Sequence, residues 1–253
     1  LNTGLIRSTI PDRATLIVAF SGGPDSSALL AGLSVLSEKK CFKLIACHVN
    51  HQIRLDSSEV DQLAAKTIAD SIGVEFLATS ANVPKVSKEQ KISIETAGRT
   101  LRYEILSQLS EEYDAYGVVT GHTKDDQAET VLLHAGRGTG LKGLVGMEYR
   151  STLRLPKSDT KLTILRPLLD ISRSTIINYC KQRNIQPVID SSNSDRQYTR
   201  NKIRLDALPA LDAAIPGAKN ALARLAENVS DDLEVVDWIV RRELQQAAYS
   251  DGK

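Results

Sequence analysis

The stretch that most restricts the fold is residues 14–30, where the apolar run ATLIVAF meets SGGPDSS and then ALL. An unbroken apolar run predicts a strand buried on both faces, which needs helices packed above and below it. Apolar residues at helical spacing in PDSSALLAGLSVLSEKK predict a helix immediately afterwards, with Pro24 and Asp25 in its first turn. A strand that turns into a helix through glycine and serine directs backbone N–H groups past a helix N-terminus, and that is an anion site. Ser21, Gly22, Gly23, Pro24, Asp25 and Ser26 make this turn. Neither GxxxxGK with a following Ser or Thr, nor GxGxxG after the strand, is present, so two familiar nucleotide loops are excluded.

The strand–helix alternation continues. FKLIACHV predicts a second strand, and Asp56 a helix cap for a segment that Gly73 ends. VEFLATS predicts a third strand, SIETAGRTLRYEILSQLSEEY a long helix, AYGVVTGH a fourth strand and KDDQAETVLLHAG another helix. Repeated units of this length predict an α/β fold: a Rossmann-like parallel sheet with helices on both faces and right-handed crossovers. Ligands of such sheets sit beyond the carboxyl ends of the strands, so Ser21–Ser26, His48–His51 and His122–Asp126 are expected on one rim. His48 and His51 suit either a satisfied strand end or chemistry at that rim. The acidic start of the helix at Asp125 and Asp126 suits either dipole stabilisation or metal and base chemistry.

Residues 137–165 are glycine-rich and then basic and β-branched, which predicts a flexible loop followed by a hairpin. SRSTIINYCKQRN predicts a helix capped by Ser172, and a further helix is expected from about Asn201. After Pro216 only helical pattern remains, carrying the sole tryptophan, Trp238. The expected division is a catalytic domain over residues 1–212. Residues 213–253 are then a linker helix and the start of a helical second domain that is cut short.

The formal charge of +1 over 253 residues leaves the choice of partner to local charge. Arg137, Lys142, Arg150, Arg154, Lys157, Lys161, Arg166 and Arg173 meet only Glu148, Asp159 and Asp170, a balance that suits either an RNA partner or a solvated hairpin. Aromatics make up 4% of residues, too few to suggest a stacking platform for single strands. Three cysteines without a CxxC pair suit a reducing, cytoplasmic setting. No basic-then-apolar leader and no membrane-spanning run is seen, so no membrane partner is expected.

SGGxDS resembles the PP-loop of ATP pyrophosphatases, which cleave ATP between its α and β phosphates and transfer AMP to an oxygen. The loop alone leaves asparagine, GMP and NAD synthetases, sulfurylases and tRNA-modifying enzymes open. A longer series narrows the field: HVNHxxR, then ExxxRxxRY, then HxxDDQAET with RGxGLxGLxGM, then RPLL and DSSNSDRQYTRNKIR…LPAL. In that order, from Ile17 to Leu211, it resembles the tRNA(Ile)-lysidine synthetase family. Gln52 and Ile53 replace the family's usual Gly-Leu, Thr123 a frequent histidine, and Gly98 an alanine.

The resemblance implies ATP and Mg²⁺ as cofactors, with tRNA(Ile) bearing a CAU anticodon and free L-lysine as partners. It also implies a tendency to form homodimers. It assigns Ser21, Gly22, Gly23, Pro24, Asp25 and Ser26 to the pyrophosphate, and Asp25 and Asp126 to the metal. Asp126 is the expected catalytic carboxylate, in metal binding or in lysine deprotonation. His122 is expected to face the same base at i, i+4 if the helix begins there. Arg102 and either Arg200 or Arg204 are expected to stabilise the adenylated state, with Asp190 and Asn193 as further contacts. A PP-loop tRNA thiolase is the alternative; those enzymes typically use the cysteine pairs that this chain lacks.

Overall fold

The computed structural model describes residues 10–53, 55–155, 161–188 and 195–250. Arg54, Lys157, Asp159, Asp190 and Asn193 lie outside the described residues. Tertiary contacts divide the chain into two compact units, Leu1–Thr123 with Tyr149–Asp190 and Lys124–Glu148 with Ser191–Lys253. This division cuts the chain at other places than residue 212.

The first unit is a six-stranded sheet in the order β3-β2-β1-β4-β6-β5. Its strands are β1 (Thr15–Ala19), β2 (Lys43–Asn50), β3 (Glu75–Ser80), β4 (Gly117–Val119), β5 (Arg150–Arg154) and β6 (Lys161–Leu165). All neighbours pair in parallel except β5 and β6, which form the expected hairpin. The helices are α1 (Pro24–Lys40), α2 (Leu55–Ile72), α3 (Val83–Gln90), α4 (Ile94–Glu112) and, later in the chain, α7 (Arg173–Gln182). Chain order reverses between β1 and β4, and a crevice at such a reversal is where open α/β sheets bind ligands.

Alternation along β1 sets the layers. Leu16, Val18 and Phe20 join Leu29, Leu30 and Leu33 of α1, Ala65 and Ile68 of α2 and Ile176 of α7 in one apolar cluster. Ile17 faces the other way, with Ile45, Cys47 and Val118 against Tyr103 and Leu106 of α4. Leu16, Ile17 and Val18 have no exposed surface, and burying each contributes about 1.5–3 kcal/mol. Burial on both faces is the reason β1 carries no polar alternation.

Helix α1 occupies the predicted span, and Ser172 caps α7 as expected by accepting from the Thr175 N–H. Helix α2 begins at Leu55, so Asp56 lies inside its first turn and is not the cap. Helix α3 was not expected; Asn82 caps it by accepting from the Lys85 N–H at 3.0 Å, with a proline in its first turn. Asn-Val-Pro is a helix-start signal that the charged stretch after it obscured.

The second unit contains α5 (Lys124–Gly136), the short α6 (Leu141–Leu144), α8 (Thr199–Lys202), a π turn (Ile203–Ala207), α9 (Leu208–Ala214) and α10 (Ala218–Ser250). Helix α10 packs on α5 and α6, which is why a segment at residue 124 belongs with one beyond residue 218. Beyond this packing, Val235, Val236, Trp238, Ile239 and Val240 of α10 are exposed. Among the described residues no helix is long and apolar enough to cross a membrane.

Candidate functional site

The turn after β1 is tied together by its own small side chains. Ser26 Oγ donates to the Gly23 carbonyl at 3.1 Å and accepts from the Ser21 N–H at 3.3 Å. Ser27 Oγ donates to the Gly22 carbonyl at 3.1 Å, and Ser21 Oγ accepts from the Gly23 N–H at 3.3 Å. Gly22 has φ +79°, and a Cβ there would come within 3.1 Å of both the Ala65 and the Val188 side chains. Both the backbone and the packing therefore require glycine. Pro24 opens α1, where its missing N–H would have had no helical partner. Asp25 follows within the same turn. Gly121, just past β4, lies against the Asp25–Ser26 peptide, since a Cβ there would sit 3.0 Å from the Asp25 carbonyl carbon. The loop is thus braced by α2, by Val188 and by the end of β4.

His48 lies near the end of β2, and His51 comes just beyond it. His48 Nδ1 donates to the Phe20 carbonyl at 3.1 Å, and the Phe20 N–H donates to the Cys47 carbonyl at 2.8 Å, so His48 secures the strand end just before the loop. Burial lowers the pKa of His48. His51 is different. Its Nε2 accepts from Arg102 Nη2 at 3.0 Å, which leaves the ring neutral with its proton on Nδ1. Burial first, and the Arg102 charge second, push the His51 pKa down from 6.5 to about 4. HVNHxxR and ExxxRxxRY, far apart in the chain, therefore meet through His51 and Arg102.

His122 precedes α5, which starts at Lys124. The helix does not begin at His122, so the condition for an i, i+4 relation between His122 and Asp126 within one helix is not met. The chain is still turning past Gly121 at this point, and His122 Nδ1 instead hydrogen-bonds Thr120 Oγ1 at 2.7 Å. Ser21–Ser26, His51 and His122 all follow the carboxyl ends of parallel strands of the first unit, and His48 lies within β2 near that end.

In the second unit Asp126 and Glu129 stand at i, i+3 on one face of α5 and meet both arginines of the TRNKIR segment. Arg204 grips Glu129 with two nitrogens, Nε to Oε1 at 2.6 Å and Nη2 to Oε2 at 3.0 Å. Arg200 bridges the pair, Nε to Glu129 Oε2 at 3.0 Å and Nη2 to Asp126 Oδ1 at 3.1 Å. Arg204 Nη2 also reaches Asp126 Oδ1, at 2.9 Å. Glu129 is 2% exposed, yet the Arg200 and Arg204 side chains keep 33% and 23% of their surface. Two buried carboxylates thus hold two partly open cations in fixed orientation, a suitable arrangement for an anion. Arg204 lies in the π turn, a rare geometry that recurs at functional sites.

Glu129 escaped the sequence reading as a site residue. In sequence it resembles one more charge on a solvated helix face; the signal was the pair of arginines at i, i+4 downstream. Asp125 forms an ion pair with Lys219. Asp126 Oδ1 already carries two guanidinium contacts, which disfavours a dication at that oxygen. Asp25 fits magnesium better: the ion takes hard oxygens and commonly uses one or two carboxylates with substrate phosphates. Among the described residues no group of three or more His, Cys, Asp and Glu side chains is arranged for a metal.

The profile of the PP-loop domain family matches residues 5–211. The chain is 36% identical over 224 residues to a tRNA(Ile)-lysidine synthase of Clostridioides difficile, covering 88% of this chain and 46% of that one. It is 37% identical over 238 residues to a tRNA(Ile)-lysidine synthase of Clostridium acetobutylicum, covering 92% and 50%. The chain therefore spans about half the length of these curated relatives. Among solved structures, the U34-tRNA thiolase NcsA from Methanococcus maripaludis with its 4Fe–4S cluster matches with a TM-score of 0.70. That match has 18% identity and covers 90% of this chain and 76% of that one, a likeness of fold. With the loop, the strand order and the profile in agreement over most of its length, the chain belongs to the PP-loop domain family.

Proposed function

We propose that this chain is the catalytic part of an enzyme that converts the wobble cytidine of a CAU-anticodon tRNA(Ile) to lysidine. The carbonyl oxygen at carbon 2 of cytosine attacks the α-phosphorus of ATP, the bond to the β-phosphate breaks and pyrophosphate leaves. The neutral ε-amine of free L-lysine then attacks carbon 2, AMP leaves with the former carbonyl oxygen, and one proton is released. Adenylation is needed because an amide-like oxygen is a poor leaving group until it becomes a phosphate ester.

Ser21, Gly22, Gly23, Pro24, Asp25 and Ser26 hold the departing pyrophosphate, using the helix N-terminus and the serine hydroxyls. Magnesium, when bound at Asp25, neutralises charge on the leaving group. Arg102, kept charged beside a neutral His51, and Arg200 and Arg204 stabilise the anionic phosphorus centre. Asp126 acts through the two guanidiniums that it aims, more than as a base, because its Oδ1 lone pairs face them. His122 contacts the base. Residues 1–212 carry this chemistry, and residues 213–253 begin a helical region. A cytoplasmic setting and a homodimer complete the reading.

The observation that carries the proposal is the phosphate loop at the strand-order reversal, in a chain whose curated relatives are tRNA(Ile)-lysidine synthases. The test is incorporation of radiolabelled lysine into a CAU-anticodon transcript with ATP and magnesium. Wild type is expected to label the RNA, and Asp126→Ala, checked for folding, to label none. Labelling by Asp126→Ala at the wild-type rate would remove Asp126 from the mechanism. Simultaneous replacement of Cys41, Cys47 and Cys180 by serine is expected to leave labelling intact, whereas a thiolase would transfer sulfur through its cysteines and incorporate no lysine.

A further inference from the structure

Gln127 stands between Asp126 and Glu129 of α5, and its amide is used elsewhere. The residue is 7% exposed, and its side chain turns to the loop that follows the helix. Nε2 donates to the Val145 carbonyl at 3.0 Å and to the Met147 carbonyl at 2.9 Å, while Oε1 accepts from the Met147 N–H at 2.8 Å. One amide thus satisfies three backbone groups, both N–H donors included. Gly146, between those partners, has φ +65°, and a Cβ there would stand 2.8 Å from Gln127 Oε1. A second side chain of the same helix joins in: His134 Nδ1 donates to the Gly143 carbonyl at 2.7 Å. The segment RGTGLKGLVGM, rich in glycine and expected to be flexible, is therefore latched at two points. Its outer side presents Arg137 and Lys142, both exposed, and Leu141 at 55% exposure.

A loop of many glycines gains little from being fixed unless its shape is used, because ordering glycine costs more backbone entropy than ordering any other residue. We propose that Gln127 is a positioning residue that holds residues 137–147 as a preformed surface for the RNA backbone, with Arg137 and Lys142 as the phosphate contacts. The proposal rests on the reading of the substrate as tRNA. Preforming the loop removes an ordering cost from binding, so losing the latch weakens RNA binding without touching the charges themselves.

The experiment pairs hydrogen–deuterium exchange with the salt dependence of binding to a CAU-anticodon tRNA transcript, measured by fluorescence anisotropy. Gln127→Ala is expected to speed amide exchange over 141–147 by about tenfold or more, as three backbone partners are lost, and to leave peptides of β1 unchanged. Gly146→Ala reaches the same latch from the loop side and serves if Gln127→Ala does not fold. Arg137→Ala with Lys142→Ala is expected to lower the slope of log affinity against log salt by about two, one per phosphate contact. Gln127→Ala is expected to weaken RNA binding while ATP affinity holds. Unchanged exchange in both latch variants overturns the latch, and an unchanged salt slope in the double variant overturns the surface. RNA binding with the expected slope but no lysine incorporation by wild type would remove the lysidine reading and leave the surface standing.

Discussion

Gln52 sits at φ 51°, in the left-handed region, with its N–H donating to Asn50 Oδ1 at 3.0 Å. The tRNA(Ile)-lysidine synthetase family usually has glycine here, and a non-glycine residue in that conformation costs about 1–2 kcal/mol. Gly98 is the mirror case: it lies inside α4, and a Cβ would meet Val83 at 3.7 Å and His51 Nδ1 at 4.0 Å, ordinary contact distances. Gln52→Gly and Gly98→Ala are each expected to raise stability by about 0.5–1 kcal/mol in urea titrations. A loss of stability in either would contradict the geometry given for that residue.

His51 links the same region to pH. Its pKa of about 4 lies below the ordinary 6.5, so between those values the unfolded chain takes up a proton that the folded chain refuses. Stability from this group is full above pH 6.5 and is lost as pH falls toward 4, with a slope of at most about 1.4 kcal/mol per pH unit. His51→Gln keeps an acceptor for Arg102 and cannot titrate. Its stability is expected to fall less steeply than wild type between pH 6.5 and 4; identical slopes would show that His51 is not neutral in the folded state.

At the scale of elements, α5 is where sequence and structure diverge most. Its span, residues 124–136, was legible because acidic residues crowd its start and glycine ends it. Its partners were not, since periodicity tells which face is apolar but not what a charge meets. Asp125 pairs with Lys219, Asp126 and Glu129 with Arg200 and Arg204, and Gln127 with the following loop. Almost every polar residue of DDQAET is thus committed to a named contact. Removing the charge of Glu129 leaves Arg200 and Arg204 facing each other across a single carboxylate. Glu129→Gln is expected to cost about 2–3 kcal/mol, less than the roughly 3–5 of a fully buried pair, because both arginine side chains are partly exposed. Combining it with Arg204→Gln is expected to recover part of that loss. Additive costs in such a double-mutant cycle would mean that the two residues do not interact.

For the whole molecule, the sheet was legible because burial on both faces forbids polar alternation, and repeated strand–helix units close in one hand. The phosphate loop was legible for a similar reason: few sequences other than glycine and serine can make that turn. The grouping of residues 124–148 with the chain beyond 191 was not legible, because it depends on tertiary packing between distant segments.

The central claim is that the loop of Ser21–Ser26 directs cleavage between the α and β phosphates of ATP onto an RNA base. The most direct measurement follows the nucleotide products when the purified chain meets ATP, magnesium, lysine and a CAU-anticodon transcript. The account predicts AMP and pyrophosphate in equal amounts, formed only when the transcript is present, and lost in Asp25→Asn. ADP with inorganic phosphate, or no cleavage by the folded chain in the presence of the RNA, would contradict it.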